Sequence, residues 1–138
     1  VMTFGSLRKN LGNSAIEGHY ELLRFANFQN LNIVGGASKL LKYFINNYSP
    51  KEIISYCDLR WSTGNLYEKL GFTFSHQSPP NYFYVFDKER KNRFGFRKDI
   101  LISKYGCSPE DTERNFCLSK EWYRIYDCGT KVYKLIIK

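Results

Sequence analysis

Residues 19–58 read HYELLRFANFQNLNIVGGASKLLKYFINNYSPKEIISYCD, and this stretch decides the fold. His19–Asn27 has the alternation of a strand. Tyr20, Leu22 and Arg24 then share one face, with Glu21, Leu23 and Phe25 on the other. Glu21 thus falls on an otherwise apolar face, as either an edge position or a functional carboxylate. A strand leads into Gly35-Gly36-Ala37, where small residues punctuate a helix start, and the helix follows at once. Leu40, Leu41, Phe44 and Ile45 recur at helical spacing, with Lys39 and Lys42 outside. Asn46-Asn47 and Ser49-Pro50 stop that helix. EIISYCD (52–58) is a continuous β-prone run of the kind buried on both faces. A strand, a short helical crossover and a strand predict a parallel pair in a mixed sheet.

Outward from this unit, Val1–Gly5 reads as a strand and 6–18 as a polar loop. LYEKLGF (66–72) is a short helix closed by Gly71, and a strand follows from Phe72 to Ser75. Pro79-Pro80 bends the chain before the strand YFYVF (82–86). After residue 87 the character changes. KERKNRFGFRK (88–98) carries Lys88, Arg90, Lys91, Arg93, Arg97 and Lys98, interleaved with Phe94 and Phe96. DILISKYG is helical, and Ser108-Pro109 has the pattern of a second helix start. WYRIYDCGTKVYKLII reads as a hairpin across Cys128-Gly129-Thr130. The expected organisation is an α/β core over 1–87 and a basic α+β extension over 88–138, packed on the same domain.

The 138 residues, 43% apolar with 11 Tyr, 11 Phe and 2 Trp, exclude wholesale disorder. No run of 18 apolar residues marks a membrane span. The strand-like opening at Val1 reads as that of a fragment, and no basic-then-apolar leader is seen. Cys57, Cys107, Cys117 and Cys128 form no CxxC pair, and His19 and His76 are remote from them, so no metal site is expected. Reduced thiols in a cytoplasm fit this pattern. The net charge is +8. Residues 1–87 hold 8 basic and 6 acidic side chains, and 88–138 hold 13 and 7. Such an excess suits a polyanion, either nucleic acid or a phosphate-bearing cofactor, or serves solubility alone.

The segment Asn32–Leu41 carries the clearest chemistry. Small residues at a helix start let backbone N–H groups approach a pyrophosphate, helped by the helix dipole. The same Gly-Gly-Ala also suits a tight, closely packed turn. At these residues the chain resembles the acyl-CoA-dependent N-acetyltransferase superfamily (GNAT). That family carries Gln/Arg-x-x-Gly-x-Gly/Ala before a Leu pair, matched by Asn32-Ile-Val-Gly35-Gly36-Ala37 and Leu40-Leu41. Its Tyr-x-Lys-x-Gly-Phe is matched by Tyr67-Glu68-Lys69-Leu70-Gly71-Phe72. The resemblance covers roughly residues 1–86 and implies a mixed, splayed sheet around a central helix. It implies acetyl-CoA or another acyl-CoA as cofactor, held around Asn32, Val34, Gly35, Gly36, Ala37 and Ser38. It further implies Tyr67 as proton donor to the departing thiolate and Glu21 as general base. Asn32 stands where the family has Gln or Arg, and Arg60 where it has Asn. The family's first strand and first two helices are missing before Val1, so the resemblance implies an upstream or partner segment that completes the fold.

The phrases YELLRFAN, IVGGASKLLKYFI, ISYCDLRWSTGNLYEKLGF, SPPNYFYV and YRIYDCG also look like a domain of phage proteins that is often attached to homing-endonuclease modules. That resemblance implies a DNA-linked role in the cytoplasm of an infected bacterium. It allows a modification domain or a non-catalytic DNA-binding module. No His-Asn-His cluster, Gly-Ile-Tyr pair or paired acidic metal site supports cleavage by this chain. The six cations of 88–98 suit phosphates, and Phe94, Phe96 or Tyr84 suit stacking on an unpaired base. Arg60-Trp61 follows the central strand, at the edge where α/β sheets bind ligands. The plainer alternatives are a solvated loop and a packed Trp with a snorkelling Arg.

Overall fold

A computed structural model describes residues 1–8 and 14–138; residues 9–13, inside the predicted 6–18 loop, lie outside the described residues. The strands are β1 (Met2–Ser6), β2 (His19–Phe25), β3 (Glu52–Asp58), β4 (Thr73–Ser78), β5 (Tyr82–Phe86), β6 (Glu89–Asn92), β7 (Tyr123–Tyr126) and β8 (Thr130–Ile136). The helices are α1 (Gly36–Tyr48), α2 (Asn65–Lys69), α3 (Lys98–Tyr105) and α4 (Glu113–Ser119). The fold is mixed α/β in two units: Val1–Pro79 with Gly129–Lys138, and Pro80–Cys128. No helix among the described residues is long and apolar enough to cross a membrane.

The first unit is a mixed five-stranded sheet in the order β1-β2-β3-β8-β4. β2 and β3 are parallel, joined by α1, as the strand–helix–strand pattern predicts. Their ladder is short, running from His19↔Glu52 to Glu21↔Ile54. A side-chain bond from Ser55 Oγ to the Leu22 carbonyl (2.9 Å) is the last link. Beyond it, Arg24 and Phe25 have ladder partners only on the β1 side, and Leu23 sits at an irregularity of the β1–β2 ladder.

α1 buries Leu41 and Phe44 against Leu22, Ile53, Cys57, Phe72 and Tyr133. Phe44 stacks on Phe4 at 3.6 Å. Each such side chain contributes roughly 1.5–3 kcal/mol by leaving water. Leu40 and Ile45, given to the same stripe by the sequence, are exposed and half-buried respectively. The strand that leads toward Gly35 is β2, and it stops at Phe25: residues 26–33 form irregular chain and a turn at Phe28–Leu31 before α1.

The second unit is a three-stranded sheet, β6-β5-β7. β5 and β6 form a hairpin through Asp87 and Lys88, whose φ values of 49° and 62° suit a type I′ turn. One sheet face carries Tyr84 and Phe86, packed with Phe96, Leu101, Cys107, Phe116, Cys117 and Trp122.

Three expectations differ from this architecture. β7 and β8 are not a hairpin: β7 pairs with β5, while β8 lies between β3 and β4. The boundary at 87/88 falls inside the β5–β6 turn, since β5 belongs with the second unit and β8 with the first. The helix expected from Ser108-Pro109 starts later, at Glu113, because the Thr112 hydroxyl caps it by accepting from the Asn115 amide (3.1 Å).

Gly64 opens α2 with φ 92°, and a Cβ there would overlap the ring of the fully buried Tyr133. Gly64→Ala is expected to destabilise the protein by about 2–4 kcal/mol, from positive φ and core overlap together. Urea unfolding checks this; a loss within error of zero would show that Tyr133 can leave its seat.

Candidate functional site

The turn from β2 into α1 is built on left-handed Gly35 (φ 72°, ψ 0°). Gly36 N donates to the Ile33 carbonyl, and Lys39 N to that of Gly35 (3.0 Å each). The helix has no side-chain cap and no acid in its first turn. Its early amides, Ala37 and Ser38 among them, therefore present donors and positive potential without a built-in acceptor. A Cβ on Gly35 would meet nothing within 4 Å, so the approach is open. At Gly36 a Cβ would press on Ile33 at 3.2 Å, so this glycine permits the close turn. Asn32 and Ser38 are exposed, and Val34 is 92% exposed. The residues around this turn thus fit a phosphate-bearing group.

Glu21 is 1% exposed. Tyr20 and Leu22 on either side of it pack toward α1, so by alternation Glu21 points to the opposite face with its register partner Ile54. Its Oε1 accepts from Arg8 Nη2 at 2.6 Å. Its Oε2 is buried with no hydrogen-bond partner among the described residues. Such an orphan costs about 1–3 kcal/mol, which a ligand donor would recover. Of the alternatives left by the sequence, an edge-strand charge is ruled out, since β2 is paired on both sides. Arg8 was not legible beforehand, because it lies in a loop rather than a periodic element.

Tyr67 is half-buried on α2, stacked on Tyr133 (5.2 Å) and edge-on to Phe72 (5.8 Å). It packs on the α1 side of the sheet. Glu21 and Tyr67 therefore occupy opposite faces. Tyr133 anchors the stack by donating to Glu68 Oε1 (3.2 Å).

Arg60 and Trp61 follow the C-terminal end of β3. Trp61 is 75% exposed, with the Arg60 guanidinium 4.4 Å from its ring centroid. It is not a packed tryptophan. The Arg60 and Trp61 amides donate to the Asp58 carboxylate and carbonyl, which fixes the turn.

The basic run is less free than its sequence implies. Lys91 pairs with Glu89, and Arg97 with Asp99 (3.4 Å). Arg90 stacks over Phe83 (4.3 Å), and Arg93 lies near Tyr82 and Phe94. Lys98 donates to the Ser108 carbonyl, while Lys88 is exposed on the turn. Phe94 is 57% exposed, but Phe96 and Tyr84 are core residues and present no ring to a base. By unit, the first holds eleven basic and five acidic residues, and the second ten and eight. The positive excess thus belongs mainly to the first unit.

Sequence reasoning also missed a polar network in the second unit. Oε1 of Glu113 accepts from Tyr82 (2.9 Å), Tyr84 (2.7 Å) and Arg124 (2.9 Å). Arg124 Nε donates to the Tyr84 oxygen as well. These residues come from β5, α4 and β7, so no local spacing announces them.

Among the described residues no group of three or more His, Cys, Asp or Glu is placed to hold a metal ion. No protein-family model matches the chain, and no curated protein matches it significantly.

Burial, then the neighbouring carboxylate of Glu113, raises the Tyr82 and Tyr84 phenols above their usual range. Burial and Glu68 do the same for Tyr133. The unfolded chain releases these protons near pH 10, before the folded one does. The stability they contribute is therefore complete below about pH 10 and lost as pH rises above it. Urea midpoints measured from about pH 8 to 11 are expected to fall at the alkaline end, and less steeply in Tyr84→Phe. An unchanged slope in that variant would count against the network.

Proposed function

We propose that the first unit binds acyl-coenzyme A and transfers its acyl group to an amine on or beside nucleic acid. With it we read the sheet as GNAT-type and the chain as a phage-type domain. The observation that carries the reading is the early end of the β2–β3 ladder beside the uncapped turn at Gly35. The two parallel strands stop pairing there, at the end where α/β sheets take ligands, and the chain leaving that end of β2 runs on to the helix start. A long ligand with a pyrophosphate and an amide-bearing arm suits such a place, with phosphates on the α1 amides and amides along unpaired strand edges.

Bound acyl-CoA would supply its acyl group as a thioester. An amine forms the new C–N bond as the C–S bond breaks. Oε2 of Glu21, already oriented by Arg8, takes the amine proton, and Tyr67 gives a proton to the departing sulfur. Because these residues occupy opposite faces of the sheet, both can serve one thioester carbon only if it lies past Glu21↔Ile54, where the β2–β3 ladder has ended.

Ser38→Glu places a carboxylate in the first helical turn, where it suits the helix but repels phosphate. Calorimetry with acetyl-CoA is expected to show binding to the parent and at least about tenfold weaker binding to this variant, with melting temperature kept. Glu21→Gln and Tyr67→Phe should slow turnover and leave cofactor affinity intact. No binding of any acyl-CoA by the parent at millimolar concentration would end the reading.

A second reading, a non-catalytic DNA-binding module, is favoured by Trp61, which stands 75% exposed under Arg60. An exposed ring beside a guanidinium suits a stacked base and its phosphate. Arg60→Ala is then expected to lower the slope of log affinity against log salt on single strands by about 0.7. Trp61→Leu should weaken binding by roughly 1–3 kcal/mol with that slope kept. A parent that shows no salt-dependent retention on any DNA or RNA would remove this reading.

A further inference from the structure

The second unit contains a cavity of about 200 Å³ beside the edge strand β7. Tyr126, 62% exposed on the same face of β7 as Arg124, gives it an aromatic wall, Leu118 adds an apolar one, and Tyr123 and the half-buried Trp122 complete the lining. Two guanidinium groups reach it, Arg114 from α4 and Arg124 from β7. Arg124 is held in place by Tyr84 and Glu113 and lies over the Tyr82 ring at 4.2 Å. Those two bonds use Nε and Nη2, so Nη1 is not committed to the network. Glu113 offsets its charge. Arg114 is exposed and forms no ion pair among the described residues. The cavity therefore joins one exposed aromatic ring to one cation without an ion pair and one fixed guanidinium fork.

We propose that this cavity binds a single unpaired nucleotide, its base against Tyr126 and Leu118 and its phosphate at Arg114 and Arg124. The volume is below the roughly 300–1,000 Å³ of drug-sized sites, so it seats part of one nucleotide, the rest lying outside it, and excludes a duplex. Aromatic side chains accept any base face, and arginine matches a phosphate with paired donors. An acidic peptide would use the cations but leave the Tyr126 ring without a partner. The site does not rest on acyl transfer; it shares only the nucleic-acid partner with that reading.

The chain has two tryptophans, so Trp61→Phe leaves Trp122 as the sole indole reporter. The full chain in this background is titrated with thymidine 5′-monophosphate, which lacks the adenine of coenzyme A. Saturable change of Trp122 fluorescence is expected, with thymidine and inorganic phosphate each about tenfold weaker. Arg114→Ala should make the monophosphate bind no better than thymidine, at unchanged melting temperature, and Arg114→Lys should restore part of the preference. Tighter binding of an oligothymidylate assigns the site to a polymer, and no gain assigns it to the free nucleotide. No saturable change, equal response to thymidine or phosphate, or an Arg114→Ala variant with full preference would each overturn the proposal. Loss of this response with acetyl-CoA binding intact would remove the cavity and leave the acyl-transfer reading standing.

Discussion

The first unit depends on one ladder, the antiparallel pairing of β8 with β3 from Asp58↔Thr130 to Glu52↔Ile136. β8 also holds β4 on its other side, so the sheet has no continuous middle without it. Its Tyr133 is fully buried, forms part of the core, stacks on Tyr67 and fills the space that a side chain at Gly64 would need. The position of Tyr67 thus rests on a strand more than sixty residues further along the chain. At 16.3 kDa the protein has little surplus burial, and removing one central strand removes most of this core.

Local pattern announced the elements well. The 3.6-residue stripe of Leu41 and Phe44, the apolar run of EIISYCD and the stop at Gly71 all correspond to observed elements. The parallel β2–β3 pair followed from the short crossover alone. The partner of the last strand was not legible. The segments on either side of Cys128-Gly129 look like the two arms of a hairpin, because periodicity reports which face is apolar and not which strand lies alongside. The choice between β7 and β3 is made by packing over long sequence distance. Capping chemistry misled in a similar way. Ser108-Pro109 carries the composition of a helix start, yet the Ser108 hydroxyl accepts from Glu110 in a turn, and Thr112 takes the cap.

The candidate site was legible where chemistry is local. Gly35 is left-handed, as a Gly at such a turn suggests, and the helix start behind it is uncapped. The unusual placement of Glu21 on an apolar face was visible from alternation, whereas its ion partner Arg8 was not. Basic composition proved a poor guide to position. Glu89 and Asp99 offset two cations of the 88–98 run, while the first unit keeps the larger surplus. Aromatic count was equally blunt: Trp61 and Phe94 face solvent, whereas Tyr84 and Phe96 fill a core.

The route of the chain sets a schedule for synthesis. Each unit ties its own entry to its exit: Ser78 bonds to Thr130 in the first, and Asn81 to Asp127 in the second. The second unit is contiguous, so it can form as soon as Cys128 emerges from a ribosome. The first unit begins earlier yet must wait for Ile136, holding Leu22, Ile53 and Phe72 without their shared neighbour throughout. The half made first therefore matures last. From the synthesis of β3 until that of β8, a nascent chain of this kind leaves one edge of β3 unpaired, which is where it needs protection from association.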